Sequence, residues 1–235
     1  KVCHMGPCRL VGKNAEEEAR GVCGATLPTV AARNMVRMIA AGTAAHSDHA
    51  RDMVLTLLAV ANGEAKDFKI KDVKKLYRVA GYLNIEFEGR QVNDVAKDVA
   101  LRFLDDYSRQ RGEINYTTRA PLKTQERWRK WGIVPRNIDR EIAEAMHRTS
   151  IGVDHDPDHL LTHGLRTALA DGWGGCMISS DITDILFGTP MPIKAEASFG
   201  IFKEDEVNLI VHGHEPTLAE IIVDVVSEPE MILYA

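Results

Sequence analysis

Apolar residues recur every three or four positions along most of the chain up to about residue 187, a spacing that places them on one face of an α-helix. The first such stretch begins at Leu27, where Pro28 suits a first helical turn. A second helix is predicted from about Thr43 to Ala61, ending at Asn62-Gly63. Further helices are predicted over residues 72–83, 92–109, 124–131, 137–149, 157–170 and 178–187. The pattern predicts a mainly helical domain over residues 25–203.

The pattern changes near residue 204. Residues 206–212 form an apolar run of strand length, followed by a glycine turn and an apolar-periodic helix over 217–226. A strand, a glycine turn and a helix make up half of a βαβ unit. A lone strand cannot satisfy both of its edges. We therefore predict that residues 204–235 begin a Rossmann-like α/β domain that is truncated at Ala235.

Composition places the chain among soluble globular proteins. Of its 235 residues 45% are hydrophobic and 27% charged, and 29 Lys and Arg against 34 Asp and Glu give a formal charge of −5. This acidity argues against a nucleic-acid partner, and the absence of an apolar run of about 18 residues argues against a transmembrane segment. Four cysteines are too few for a disulfide-stapled secreted domain, so a cytoplasmic location is predicted. The opening on Lys1 rather than Met indicates a cut N-terminus.

Three of the four cysteines lie in the first 24 residues, a segment rich in glycine and proline. Cys3, Cys8 and Cys23 have the spacing C-x4-C-x14-C, and thiolates this close on glycine-rich loops suit a soft metal or an iron–sulfur cluster. Such a cluster takes four cysteines, and the fourth is either Cys176 or a residue before Lys1. The alternatives are a zinc site and ordinary packing thiols, and for Cys176 a small buried apolar residue is favoured. We interpret residues 1–24 as an iron–sulfur binding loop segment.

Two pairs of histidines are candidates for function. His46 and His49 stand three residues apart in a predicted helix, so both lie on one face. There they can bind metal or pass protons, and a solvated polar stripe is the alternative. His212 and His214 lie at the C-terminal end of the predicted strand, the sheet end where ligands bind in open α/β folds.

A third group, His155, His159 and His163, recurs at four-residue intervals. This spacing would suit a metal-binding stripe if all three lay on one helix. However, the acidic residues around Pro157 are typical of a helix start, which places His155 before the helix. We therefore interpret these histidines as a solvated face rather than as a metal site.

Seven stretches, in this order, together resemble the catalytic subunit of the anaerobic nickel–iron carbon-monoxide dehydrogenases. They are CHMGPCRL at 3–10, GVCGAT at 21–26, ARNMVRMIAAG at 32–42, HSDHAR at 46–51, LADGWGG at 169–175, DILFGTP at 184–190 and VNLIVHGHEP at 207–216. The fold expected is a mainly α N-terminal domain with iron–sulfur binding loops, followed by the start of an α/β Rossmann-like domain.

The resemblance implies roles for individual residues. Cys3, Cys8 and Cys23 correspond to three of the four ligands of an electron-relaying 4Fe–4S cluster. His214 corresponds to the histidine ligand of a Ni–Fe–S active-site cluster, whose other ligands are expected outside this chain. His46 corresponds to an acid/base residue beside that cluster, and His49 to the next member of a histidine ladder that carries protons outward.

The resemblance also implies an activity and partners. The family interconverts CO and H2O with CO2, two protons and two electrons, which pass through 4Fe–4S clusters to a ferredoxin-like acceptor. A homodimer is expected, and acetyl-CoA synthase is a candidate partner. The family's ladder often continues six and nine residues after His46, where this chain has Asp52 and Leu55. Asp can pass a proton and Leu cannot, so the proton route differs from the family's at Leu55.

Three other interpretations stay open. A hybrid-cluster reductase of hydroxylamine-type substrates shares the glycine–histidine turn at 212–214, although the helix with His46 and His49 favours carbon-monoxide dehydrogenase. A non-catalytic iron–sulfur module for electron transfer or sensing fits the interrupted ladder. A plain helical domain with incidental cysteines explains the fewest of these features.

Overall fold

The computed structural model describes residues 8–12, 14, 17–191, 202, 204–205, 207–210 and 216–227. The predicted site residues Cys3, His212 and His214 lie outside these residues. The described part is mainly helical, as the apolar pattern predicts. Its α-helices are α1 (Leu27–Ala61), α2 (Val73–Tyr82), α3 (Val92–Ser108), α4 (Leu122–Trp131), α5 (Ile138–Arg148), α6 (Pro157–Ala170), α7 (Met177–Phe187) and α8 (Pro216–Ser227).

Helix α1 is one continuous element of 35 residues, so the prediction of two helices was wrong. Thr26 caps it by accepting a hydrogen bond from the backbone N–H of Thr29. Gly42, at the predicted break, costs a helix only about 1 kcal/mol relative to alanine. Burial of residues such as Val36 and Val54 on either side of it offsets that cost, since each fully buried apolar side chain contributes about 1.5–3 kcal/mol.

The core lies along α1, which packs against α3, α5, α6 and α7. Its N-terminal half forms a small apolar cluster with α5 and α6, made of Ala32, Val36, Ala40, Ala145 and Leu160. Its C-terminal half contributes Ala50, Val54 and Leu57 to a larger cluster with α2, α3 and α7. The middle of α1, with His46, lies between the two clusters and is therefore held in place from both directions.

The predicted strand over residues 206–212 is not present in its described part. Val207–Ile210 have no regular secondary structure, and their side chains are exposed. A strand is defined by its ladder of hydrogen bonds to a neighbour, and no described residue forms a ladder with this segment. Helix α8 forms where the pattern predicts a helix over 217–226.

None of the helices among the described residues combines the length and apolar character needed to cross a lipid bilayer.

Candidate active site

His46 meets Asp171 and Cys176 beside the middle of α1. Its Nδ1 atom lies 2.9 Å from Oδ1 of Asp171 and 3.5 Å from Sγ of Cys176, and that Sγ lies 3.9 Å from the same carboxylate oxygen. The imidazole is 52% exposed and the Asp171 side chain 26% exposed. We call these three residues the His46 cluster. His46 is 125 residues from Asp171 and 130 from Cys176, so its meeting with them is a product of the tertiary fold.

A π-helical turn over Asp171–Cys176, between α6 and α7, brings Asp171 and Cys176 to the same place. In an α-helix, residues five apart point roughly 140° away from each other. The wider π-turn has i→i+5 hydrogen bonds, so a residue lies almost above the one five positions earlier. The turn therefore aims the carboxylate and the thiol together at α1.

Two glycines let this turn approach its neighbours closely. A β-carbon on Gly175 would lie 3.2 Å from both Cβ of His46 and the backbone nitrogen of Ser47, and 3.3 Å from Oδ1 of Asp171. A β-carbon on Gly174 would lie only 2.5 Å from two side-chain carbons of Ile138. Tyr107 also donates a hydrogen bond from its hydroxyl to the carbonyl of Gly174, at 3.2 Å. The distances within the cluster thus depend on this Gly-Gly pair.

We expect the substitution Gly174→Ala to destabilise the protein by about 1–3 kcal/mol, because the new methyl group overlaps the fully buried Ile138. Gly172→Ala is the matched control in the same turn, since no atom lies within 4 Å of a β-carbon there. It should stay within about 1 kcal/mol of wild type. Urea unfolding of both variants checks this, and equal losses would contradict the proposed close packing.

The electrostatics of the His46 cluster favour a defined arrangement of protons. A carboxylate only accepts hydrogen bonds, so Nδ1 of His46 donates to Asp171 and Nε2 is left to exchange protons with solvent or a ligand. Burial raises the pKa of the Cys176 thiol. The negative charge of Asp171 and the hydrogen bond between that carboxylate and the thiol raise it further. Cys176 is half-buried rather than a core residue, which corrects its favoured interpretation from the sequence.

The helix face predicted to carry protons is exposed to solvent. His46 and His49 both lie on it. Asp52 and Leu55 are also exposed, but each step of three residues turns 60° back round α1, so Leu55 lies on the opposite side from His46. The structure places both histidines on one face of α1, as their spacing predicts, and their role in proton transfer stays a prediction.

Cys23 lies near the N-terminal end of α1, where polar side chains contact both its thiol and its backbone. A guanidinium nitrogen of Arg33 lies 3.4 Å from its Sγ, and the ring of His155 lies 3.0 Å from its backbone carbonyl. Burial acts to raise the pKa of the thiol, but hydrogen bonds from Gly152, Arg33, Ala25 and His155 outweigh it and lower the pKa to about 6. The thiolate, which is the form that ligates metals, is therefore the main form at neutral pH.

Cys8 is a free, half-buried thiol that lies against Gly21, two residues before Cys23. A β-carbon on Gly21 would lie 2.9 Å from Sγ of Cys8, so glycine is required for this approach. The two described cysteines of the C-x4-C-x14-C motif thus lie on one folded loop. Arg33 and His46 are 13 residues apart on α1, which separates the Cys23 loop and the His46 cluster by roughly 20 Å along the helix.

The three histidines at four-residue intervals do not form one face. His155 binds the Cys23 loop, His159 is exposed, and His163 is buried with Nε2 3.0 Å from Oε2 of Glu141. The interpretation of His163 as solvated was wrong, because α6 turns that residue into its contact with α5. Asp171 was not among the site residues predicted from the sequence, although the Gly-Trp-Gly-Gly run after it was a usable signal of close backbone approach.

Comparison with known proteins identifies the family. The model of the Prismane/CO dehydrogenase family matches residues 1–235. The chain belongs to this family. "Carbon monoxide dehydrogenase 1" of Methanosarcina mazei is 51% identical over 232 residues, which cover 98% of this chain and 36% of that protein. The chain thus spans little more than a third of the length of this curated relative.

Solved structures agree with this assignment. The Ni-free carbon monoxide dehydrogenase of Thermococcus sp. AM4 superposes with a TM-score of 0.83 at 47% identity, over 98% of this chain and 37% of that chain. A structure described as NiZn[Fe4S4] and NiNi[Fe4S4] clusters in alpha subunits of acetyl-CoA synthase/carbon monoxide dehydrogenase gives 0.80 at 38% identity, over 97% and 34%. The helical arrangement around α1 is therefore shared with the carbon monoxide dehydrogenases.

Proposed function

We propose that this chain is part of a carbon monoxide dehydrogenase, an oxidoreductase that interconverts CO and H2O with CO2, two protons and two electrons. The observation that best supports this is the His46–Asp171 pair, an exposed imidazole oriented by a carboxylate on a rigid helix. The relatives' names give the reaction class, and the pair gives a means of handling the protons that this reaction releases.

The residues proposed as cluster ligands fit thiolate coordination of iron. We propose that Cys3, Cys8 and Cys23 hold three corners of a 4Fe–4S cluster that relays electrons. The lowered pKa of Cys23 supports this, as does the placement of Cys8 beside the same loop. His214 is proposed as the protein's histidine ligand to a Ni–Fe–S cluster whose remaining ligands are outside this chain. When bound, that group supplies the activation of CO and water and accepts the two electrons.

The chain's own contribution to the reaction is proton transfer. His46 takes up a proton at Nε2, while Asp171 holds the ring through Nδ1 and stabilises the imidazolium that forms. The proton then leaves along the exposed stripe of α1, through His49 and Asp52. Leu55 cannot continue the stripe, so from Asp52 the proton passes to solvent.

The wider organisation is also part of the proposal. We propose a homodimer in the cytoplasm, a ferredoxin-like electron acceptor, and acetyl-CoA synthase as a candidate partner, since one structural relative is named for both activities. Residues 1–24 are proposed as the cluster-binding loops, 25–203 as the helical domain, and 204–235 as the start of a Rossmann-like domain.

The experiment that tests the activity is CO-dependent reduction of a viologen dye by the full-length protein, prepared without oxygen and supplied with iron and nickel. We expect dye reduction that requires CO and scales with nickel content. Reduction of hydroxylamine without CO-dependent activity would replace the proposal with the hybrid-cluster reductase. Intact iron–sulfur spectra with neither activity would replace it with the electron-transfer module.

A further inference from the structure

The His46 cluster has the donor set and spacing of a mononuclear metal site. Its members offer one imidazole nitrogen, one carboxylate oxygen and one thiol sulfur, all within 4.8 Å of one another. Three protein ligands with a fourth position open to solvent is the arrangement of catalytic or exchangeable zinc sites. We propose that His46, Asp171 and Cys176 bind one thiophilic divalent cation of the Zn2+ class.

The separations between the three donor atoms are close to those of a tetrahedral site. With zinc at its usual distances from nitrogen, oxygen and sulfur, neighbouring ligands of a tetrahedral ion lie about 3.3–3.6 Å apart. The cluster has separations of 2.9, 3.5 and 3.9 Å between its donors. Lengthening the 2.9 Å edge and shortening the 3.9 Å edge by a few tenths of an ångström, through movements of the His46 and Asp171 side chains, brings all three into this range without a change in the backbone.

The charges of the cluster also favour a cation. A Cys176 thiolate and the Asp171 carboxylate repel each other, and their partial burial strengthens that repulsion. A divalent ion between them turns the repulsion into two attractions. The thiolate selects against hard cations such as Mg2+ and Ca2+, which prefer oxygen ligands, and favours Zn2+ and its tetrahedral substitute Co2+.

The backbone preorganises these donors without the cation. The π-turn fixes Asp171 and Cys176 on one side, and Gly175 allows the turn to lie directly against His46. Exposure of half of the imidazole leaves room for water or an exogenous ligand in the fourth position. Binding here involves none of the cysteines proposed as iron–sulfur ligands, so it is separable from cluster assembly. The cation replaces the Nδ1 proton of His46 and the thiol proton of Cys176, which pass to solvent, so it competes with the proposed proton transfer at His46.

Cobalt uptake by the full-length protein tests the site. Wild type and Cys176→Ser are dialysed without oxygen against micromolar Co2+, and bound cobalt and iron are measured together with the absorption spectrum. We expect wild type to hold one more Co2+ per chain than Cys176→Ser and to show a thiolate-to-cobalt charge-transfer band that the variant lacks. Iron content should be equal in both, which shows that the clusters are unaffected.

A second variant and a control complete the test. Asp171→Asn should weaken cobalt binding at least tenfold while the charge-transfer band returns at high Co2+, because the thiolate is retained. His159→Ala removes an exposed histidine outside the cluster that is paired with the carboxylate of Asp156, and it should leave uptake unchanged. Equal cobalt uptake and equal spectra in wild type and Cys176→Ser would overturn the proposal, whether or not the protein oxidises CO.

Discussion

His46→Ala is expected to lower kcat for CO oxidation by about 10²–10⁴-fold, the usual contribution of a positioned acid/base side chain. The loss should appear in kcat rather than in the KM for CO, because His46 is proposed to handle protons and not to bind the gas. Iron and nickel contents should match those of wild type. Kinetics of the full-length protein with a viologen acceptor measure these quantities.

Rescue by added imidazole separates a chemical role of His46 from a structural one. The side chain is half-exposed, so imidazole from solution can reach the space that the substitution leaves. We expect imidazole to restore part of the lost kcat in His46→Ala, and to have no effect on the control His159→Ala, which should retain wild-type activity. Turnover that survives in His46→Ala, or a loss that imidazole does not relieve, would show that His46 is not the acid/base group.

The second large effect is expected for stability, in Glu141→Gln. Glu141 is fully buried and its two oxygens accept hydrogen bonds from the backbone and guanidinium of Arg136 and from Nε2 of His163. A glutamine amide presents its N–H2 group to donors and removes one of the two carboxylates paired with the Arg136 guanidinium, the other being Glu144. Losing these buried hydrogen bonds, with amide hydrogens now facing donors, costs about 2–4 kcal/mol. Urea unfolding measures this loss.

Glu126→Gln is the matched control for this loss, because Glu126 is exposed and its replacement should change stability by less than about 0.5 kcal/mol. If Glu141→Gln lost no more stability than this control, the buried network would not stabilise the packing of α5 on α6.

The same network predicts a dependence of stability on pH. Burial acts to raise the pKa of Glu141, but hydrogen bonds from His163 and Arg136 outweigh it and lower the pKa from 4.5 to about 2. Because the folded pKa lies below the unfolded one, the stabilisation is complete above pH 4.5 and is lost as the pH falls towards 2. The shift corresponds to about 3 kcal/mol. The difference in the free energy of unfolding between wild type and Glu141→Gln should therefore decrease below pH 4.5. If that difference stayed constant down to pH 2, ionised Glu141 would not be the source of the stabilisation.

The outcome for α1 and for the predicted strand shows what a local pattern resolves. Helical periodicity identified the segments on both sides of Gly42, but a glycine in a sequence does not reveal whether packing on each side holds the helix continuous. The strand over 206–212 has the right composition, yet a strand exists only through a partner, and apolar composition does not specify one. Local propensity thus predicted where helices form, but not whether two helical segments are continuous or whether a strand has a neighbour.

The sequence by itself determined the helical class, the family and the candidate residues His46, His49, Cys8 and Cys23, because periodicity and motif spacing are local properties of the chain. Only the tertiary structure placed Asp171 and Cys176 against His46, since a π-turn and a Gly-Gly contact bring together residues about 125 positions apart. The burial of His163 on Glu141 and the thiolate-stabilising contacts at Cys23 were likewise decided by packing between helices. Charges, hydrogen bonds and metal-ligand spacing depend on distances in space, and the fold sets those distances.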